Sequence, residues 1–392
     1  MGHIVIAPDK FKGSLTGSQV AAHVAAGLRR ARPGTATVEL PVADGGDGTV
    51  DAAVAAGFEP VPVEVTGPTG QRVTAAFGLF GGTAVIEAAQ ACGLTLLESL
   101  AEAPASGTPA SGGSAAGGRL APLTATSRGV GELILAAIDA GADRIVLGLG
   151  GVATNDGGAG LVQALGGRLL DDAGQELPPG GGALAQLKTV DLSGLRSLDG
   201  VEFQAASDVD NPLLGPHGAA AVYGPQKGAA PEDVRVLDAA LGRWADVAED
   251  ATGAGARDRA GAGAAGGLGF AALLFLRARL RPGIELLLDM LGFAAHLDGA
   301  DLVITGEGSL DEQTLRGKAP AGVARAAAAH EPPIPVVTVS GICSLAEADL
   351  RAAGVTAAYT LSSLEPDVAR SIADAGPLTE RLAAQIAADR LR

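Results

Sequence analysis

Short runs of β-branched residues recur along this chain, and most are followed by an Ala-rich stretch with helical spacing. HIVIAP at residues 3–8, DRIVLGLG at 143–150, DLVIT at 301–305 and IPVVTVS at 334–340 are the clearest. Runs this apolar bury both faces, so they read as parallel strands with helices on either side, and the expected fold class is α/β. Thr16 and Gln19 have the spacing of a capping box at the start of a helix over about residues 16–30. EPVPVEVTG and RVTAAFGLF, split by the turn Gly67-Pro68-Thr69-Gly70, read as a hairpin. The chain has 392 residues, more than one simple core holds, which points to two domains. Both ends alternate regularly and the middle does not. The arrangement expected is a discontinuous α/β domain from residues 1–84 and 267–392, with a second α/β domain, 85–266, inserted. Residues 102–118 are expected as a surface loop, 257–267 as a Gly/Ala linker, 270–280 as a helix, and AAAVYG before Lys227 as a strand.

A net charge of −16 with no basic stripe argues against a nucleic-acid partner. Cys92 and Cys343 lie far apart among apolar neighbours. They read as core residues of a chain in a reducing cytosol rather than metal ligands or a disulfide. Neither a signal peptide nor a membrane-spanning run is evident, so no membrane role is expected and the location expected is cytoplasmic.

The informative feature lies at the strand ends. In open α/β sheets ligands bind beyond the carboxyl ends of strands, and five strands here end in polar, Gly-rich loops. These are DKFKGS from Asp9, DGGDGT from Asp44, GVATNDGG from Gly151, SDVDNP from Ser207 and GEGSLDEQ from Gly306. Any one of them is an ordinary turn, because Gly, Asp and Asn suit turns for backbone reasons; five in one chain point to a ligand. Gly-rich turns let backbone N–H groups approach phosphates, and Lys10 and Lys12 beside a helix start form an anion site. Clustered carboxylates with phosphates suit Mg²⁺, which takes only one or two protein carboxylates.

Two other patterns compete. Gly148-Leu149-Gly150-Gly151-Val152-Ala153 matches GxGxxA after a strand, with Asp171 at a distance suited to a ribose, which is the case for an NAD-dependent oxidoreductase. Asp156 close behind opposes a bare pyrophosphate, which favours a Mg-nucleotide instead. No Walker-type GxxxxGK[ST] occurs. The five histidines show no metal spacing, and His217 reads as structural. Lys227 in GPQKGA reads equally as a loop lysine or a phosphate contact.

Taken in order, PDKFKGSLT, PVADGGDGTV, GLGGVATNDGGAG, SDVDNPLLG, GPQKGA and DLVITGEGSLDEQTLRGKAPAGVA resemble the type-1 glycerate kinase family, from Ile4 to about Ala326. The resemblance implies a flavodoxin-like domain built from both chain ends, an inserted α/β domain and an active site in the cleft between them. It implies ATP- and Mg²⁺-dependent phosphorylation of D-glycerate, usually at the 2-hydroxyl, with the 3-hydroxyl as the alternative. A non-catalytic sugar-acid sensor is the other rival. The partners expected are therefore the small molecules D-glycerate and ATP.

Physical reasoning then assigns roles. Phosphoryl transfer is mostly positioning and charge stabilisation. Asp208, with Asp156 next, is expected to accept the hydroxyl proton. Lys12 is expected to act at the reacting centre. Lys10, Lys12, Lys318, Asn155 and Asn211 are expected to hold glycerate. Gly45, Gly46, Gly306, Glu307 and Gly308 are expected around the nucleotide, and Asp44, Asp47 and Asp311 at the metal.

Overall fold

A computed structural model of the chain describes residues 2–97, 120–315 and 317–391. The chain divides into two compact units, residues 1–58 with 282–392, and residues 59–281.

The first unit is built on a five-stranded sheet in the order β2-β1-β11-β12-β13. The strands are β1 (His3–Pro8), β2 (Thr37–Glu39), β11 (Ala300–Leu310), β12 (Val336–Cys343) and β13 (Val355–Thr360). Every pairing is parallel, so each strand must be covered on both faces. The period of two does this directly. Ile4 and Ile6 pack with Val20, Val24 and Leu28 of helix Gly17–Ala31 and with Leu382 and Ile386 of helix Ala375–Arg390. Val5 and Ala7 face the other way, onto Ile284 and Leu287 of helix Gly283–Met290 and Val323 of helix Ala319–Ala329. Each fully buried Ile or Val contributes about 1.5–3 kcal/mol by removal from water. Helix Gly17–Ala31 starts with the expected box: Thr16 Oγ1 accepts from the Gln19 N–H, and Gln19 Oε1 accepts from the Thr16 N–H. In this sheet β1 and β2 lead one way and β11 to β13 the other. The winding therefore reverses between β1 and β11, as in the flavodoxin-like order.

The second unit holds a six-stranded sheet in the order β10-β9-β6-β5-β4-β3. Its strands are β3 (Glu59–Thr66), β4 (Arg72–Phe80), β5 (Thr83–Glu87), β6 (Arg144–Gly148), β9 (Glu202–Ala206) and β10 (Arg279–Arg281); a separate hairpin joins β7 (Arg168–Leu170) to β8 (Thr189–Asp191). The expected hairpin is present as the antiparallel β3–β4 pair. Strand β3 is the sheet edge and carries Pro60 and Pro62. Helix Pro231–Thr252 buries Leu237, Ala240, Leu241, Trp244, Ala245 and Ala248, a spacing of three and four that forms one apolar stripe. Trp244 stacks on Phe275 at 5.6 Å and meets Phe270 edge-on at 6.2 Å.

The unit junctions differ from those expected. They fall at 58/59 and 281/282 rather than 84/85 and 266/267, because β4 pairs with β5, β5 with β6, and β10 with β9. The hairpin therefore belongs to the second sheet. Residues 270–280 are a helix only to Leu274; Arg277 takes a φ of 52° and the chain then enters β10. The second half of the expected linker is core, with Ala262 and Ala264 buried, while residues 258–260 are exposed. AAAVY is a short helix, Ala219–Tyr223, not a strand. The loop expected at 102–118 lies outside the described residues. Among the described residues no helix is long and apolar enough to cross a membrane.

Candidate active site

Asp9 follows β1, and Glu307 lies near the end of β11. The two strands are hydrogen-bonded neighbours at the point where the winding reverses. The Asp9 N–H donates to the Gly306 carbonyl at 2.8 Å, and Thr305 Oγ1 donates to the Ala7 carbonyl at 2.7 Å, so the strand ends are tied together. Asp9 is buried. Its Oδ1 accepts from the Lys10 N–H at 2.6 Å, and the Lys10 ammonium lies 3.7 Å away. Burial pushes the Asp9 carboxyl up to about 7; Lys10 pulls it down, and the like charges of Asp44 and Glu307 push it further up. Glu307 is also buried and also raised, first by burial, against the hydroxyl of Thr314 at 2.6 Å and the ammonium of Lys318 at 3.5 Å. Asp9, Asp44 and Glu307 thus form one interacting set of carboxylates, with Lys10 and Lys318 as counter-charges.

The neighbouring loops explain several of the expected residues. Asp44 Oδ1 accepts from the Gly46 N–H, and the Gly46 carbonyl accepts from Thr49 Oγ1 at 2.6 Å, which starts helix Thr49–Ala55. Gly45 turns the chain with a φ of 88°. The Lys10 ammonium donates to the Asp47 carbonyl at 2.7 Å. Gly306 lies inside the sheet, where a Cβ would stand 1.7 Å from the Val339 carbonyl, so its place there is set by strand packing. Gly308 passes close to Phe11 and Lys12. Asp311 Oδ1 accepts from the Gln313 N–H in the turn after β11. Lys12 is exposed. A pocket of about 210 Å³ lies beside Asp9 and Lys10 at the first turn of helix Gly17–Ala31.

In the second unit the loop after β6 is sealed. Asp156 is fully buried and accepts from Ser127 N at 2.8 Å, Ser127 Oγ at 2.9 Å and the N–H groups of Gly158 and Gly160. Both of its oxygens are engaged in holding the turn, so the residue expected as a proton acceptor has a structural task here. Asn155 is buried too, with Nδ2 donating to the Pro122 carbonyl and Oδ1 without a partner among the described residues. Lys227 is buried, and its ammonium donates to the Thr154 carbonyl at 2.6 Å, so the open choice between a loop lysine and a phosphate contact resolves to an internal clamp. Trp244 Nε1 donates to the Gly157 carbonyl at 2.9 Å. The turn that matched a dinucleotide fingerprint is packed from below, with Leu94 N–H on Gly151 and Ala153 N–H on Cys92. Asn211 is used at both ends of its amide, accepting from Tyr223 Oη at 2.6 Å and donating to the His217 carbonyl at 2.8 Å. That makes Asn211 a brace of its own loop. Asp208 lies exposed on the loop after β9.

Of the expected residues, the structure gathers Lys10, Asp44, Asp47, Glu307 and Lys318 around the β1–β11 strand ends. Sequence reasoning misses Asp9, which stands in the first polar loop, because the two lysines after it point to an anion. Among the described residues no three His, Cys, Asp or Glu side chains converge to hold a metal. The expected trio Asp44, Asp47 and Asp311 therefore forms no such group. One or two of these carboxylates would suit a Mg²⁺ ion whose remaining ligands are water and nucleotide phosphates.

An open parallel sheet with buried carboxylates and lysines at its switch point defines an α/β enzyme acting on a small polar ligand. The glycerate kinase family model matches residues 4–390. The glycerate kinase of Bacillus subtilis is 46% identical over 98% of this chain and 97% of its own length, and the glycerate 2-kinase of Escherichia coli is 45% identical over 84% and 83%. A crystal structure from Salmonella typhimurium LT2, assigned provisionally as a glycerate kinase 2, superposes with a TM-score of 0.81 at 43% identity, covering 99% of this chain and 97% of that one. The chain belongs to the glycerate kinase family.

Proposed function

We propose that this chain transfers the γ-phosphoryl group of ATP to D-glycerate, at the 2-hydroxyl, giving 2-phosphoglycerate and ADP. The observation that carries the reading is the family match along the whole chain, with the Asp9–Lys10, Asp44–Asp47 and Glu307–Lys318 groups at strand ends where ligands of such sheets bind. Glycerate brings one carboxylate and two hydroxyls, and Lys10, Lys12 and Lys318 are the cations we assign to that carboxylate. Mg²⁺ on the phosphates would neutralise charge as it develops on the transferring group. A relative named glycerate 2-kinase, matched over 84% of this chain, favours the 2-hydroxyl.

The test is incubation of the pure protein with D-glycerate, ATP and Mg²⁺, followed by enolase without a mutase. Phosphoenolpyruvate signals transfer to the 2-hydroxyl. ADP formation without that signal moves the phosphate to the 3-hydroxyl, and no ADP rejects the kinase reading.

A further inference from the structure

The sequence places the proton acceptor at Asp208 or Asp156; the structure favours a different carboxylate. Asp156 is walled in and fully engaged. Asp208 is exposed on its loop, where water competes for any proton it takes. Asp9 differs from both. It sits at the carboxyl end of β1, at the reversal of winding, and its amide on the Gly306 carbonyl fixes it there. Its side chain keeps only 9% of its surface, and the residue lines the pocket shared with Lys10, Gly17, Ser18, Asp47 and Asp51. It is therefore held in place, shielded, and still in reach of a small molecule.

We propose that Asp9 is a catalytic residue of the phosphoryl transfer, receiving the proton that the attacking hydroxyl of glycerate gives up. The inference rests on the glycerate kinase reading above. The O–H bond of glycerate breaks and its proton passes to the carboxylate oxygen of Asp9 that Lys10 does not engage. The hydroxyl oxygen uses the electron pair to bond the γ-phosphorus. The bond from that phosphorus to the β–γ bridging oxygen breaks, and its pair leaves on ADP. Asp9 then returns the proton to water. The charged groups facing Asp9 are Lys10, Asp44 and Glu307, with Lys318 against Glu307. Together with burial they keep the carboxyl near neutrality, the range in which a general base serves best.

The experiment compares steady-state kinetics of the wild type with Asp9→Asn, Asp9→Glu and Asp208→Asn, each checked for folding by far-UV circular dichroism. The expected result is a fall of about 10²–10⁴-fold in kcat for Asp9→Asn, with KM for glycerate and ATP nearly unchanged. Asp9→Glu, which keeps the carboxylate one methylene away, should retain more turnover than Asp9→Asn. Should Asp9→Asn fail to fold, Asp9→Ser is read in its place. Near-normal turnover of the folded Asp9 variant, alongside collapse of Asp208→Asn, overturns the proposal and leaves the kinase reading standing. Equal losses in Asp9→Asn and Asp9→Glu assign Asp9 a packing role and overturn it as well. A wild type that releases no ADP with glycerate rejects both.

Discussion

The ammonium of Lys227 donates to the Thr154 carbonyl at 2.6 Å, from a side chain buried as completely as the loop it holds. Burial lowers the Lys227 pKa from its ordinary 10.5 to about 8, and the neighbouring Cys92 and Asp156 partly restore it. Between those two values the unfolded chain binds more protons than the folded one, so this group makes stability rise with pH. Urea unfolding at about pH 7.5 and 9.5 should show a larger gain in the wild type than in Lys227→Met, which cannot titrate. Lys227→Ala should cost about 3 kcal/mol at about pH 9.5, from a carbonyl left unpaired and a void, and less at about pH 7.5, where the wild type bears the cost of its buried charge.

Asp9 has the opposite sign. Its carboxyl pKa is raised from 3.8 to about 7, so the folded state holds the extra proton in that interval and stability falls as pH rises through it. Above neutrality the full cost of the buried charge is present. Asp9→Asn should therefore unfold at higher urea than the wild type at about pH 8, and the difference should shrink towards about pH 4. A variant equally stable at both would mean that the carboxylate is better solvated than its burial suggests.

How far the sequence carried these inferences depends on the range of the interaction involved. The strand His3–Pro8, its two buried faces and the cap at Thr16 are local, and all were legible. So was the rule that polar loops follow strand ends. The junctions at 58/59 and 281/282 were not, because a β-branched hairpin carries no mark of which sheet it will join. A three-residue strand such as Arg279–Arg281 is too short to show a period and exists through its pairing with Gln204–Ala206. Lys227 looked polar and loop-borne because the carbonyl that buries it lies 73 residues away. Asp156 read as reactive for the same reason: its partners at Ser127 come from a separate segment.

Asp156→Ala should therefore act on folding first. It removes an acceptor serving Ser127 and the N–H groups of Gly158 and Gly160, and should cost about 3–5 kcal/mol. The check is the urea midpoint. A midpoint close to that of the wild type, with turnover abolished, would return Asp156 to the chemistry.

Thr16→Ala removes one half of the capping box beside the pocket. The expected loss is about 1 kcal/mol, read by thermal or urea unfolding. Thr16→Ser keeps the acceptor and should lose much less.

Strand β3 has a consequence beyond its own unit. Pro60 and Pro62 are two residues apart, so both withdraw their donors from the same side of an edge strand. A strand from another chain arriving there meets gaps where it needs N–H groups. At high concentration this edge is thus a poor template for a second copy, and restoring those donors, as in Pro60→Thr with Pro62→Thr, would make it a better one.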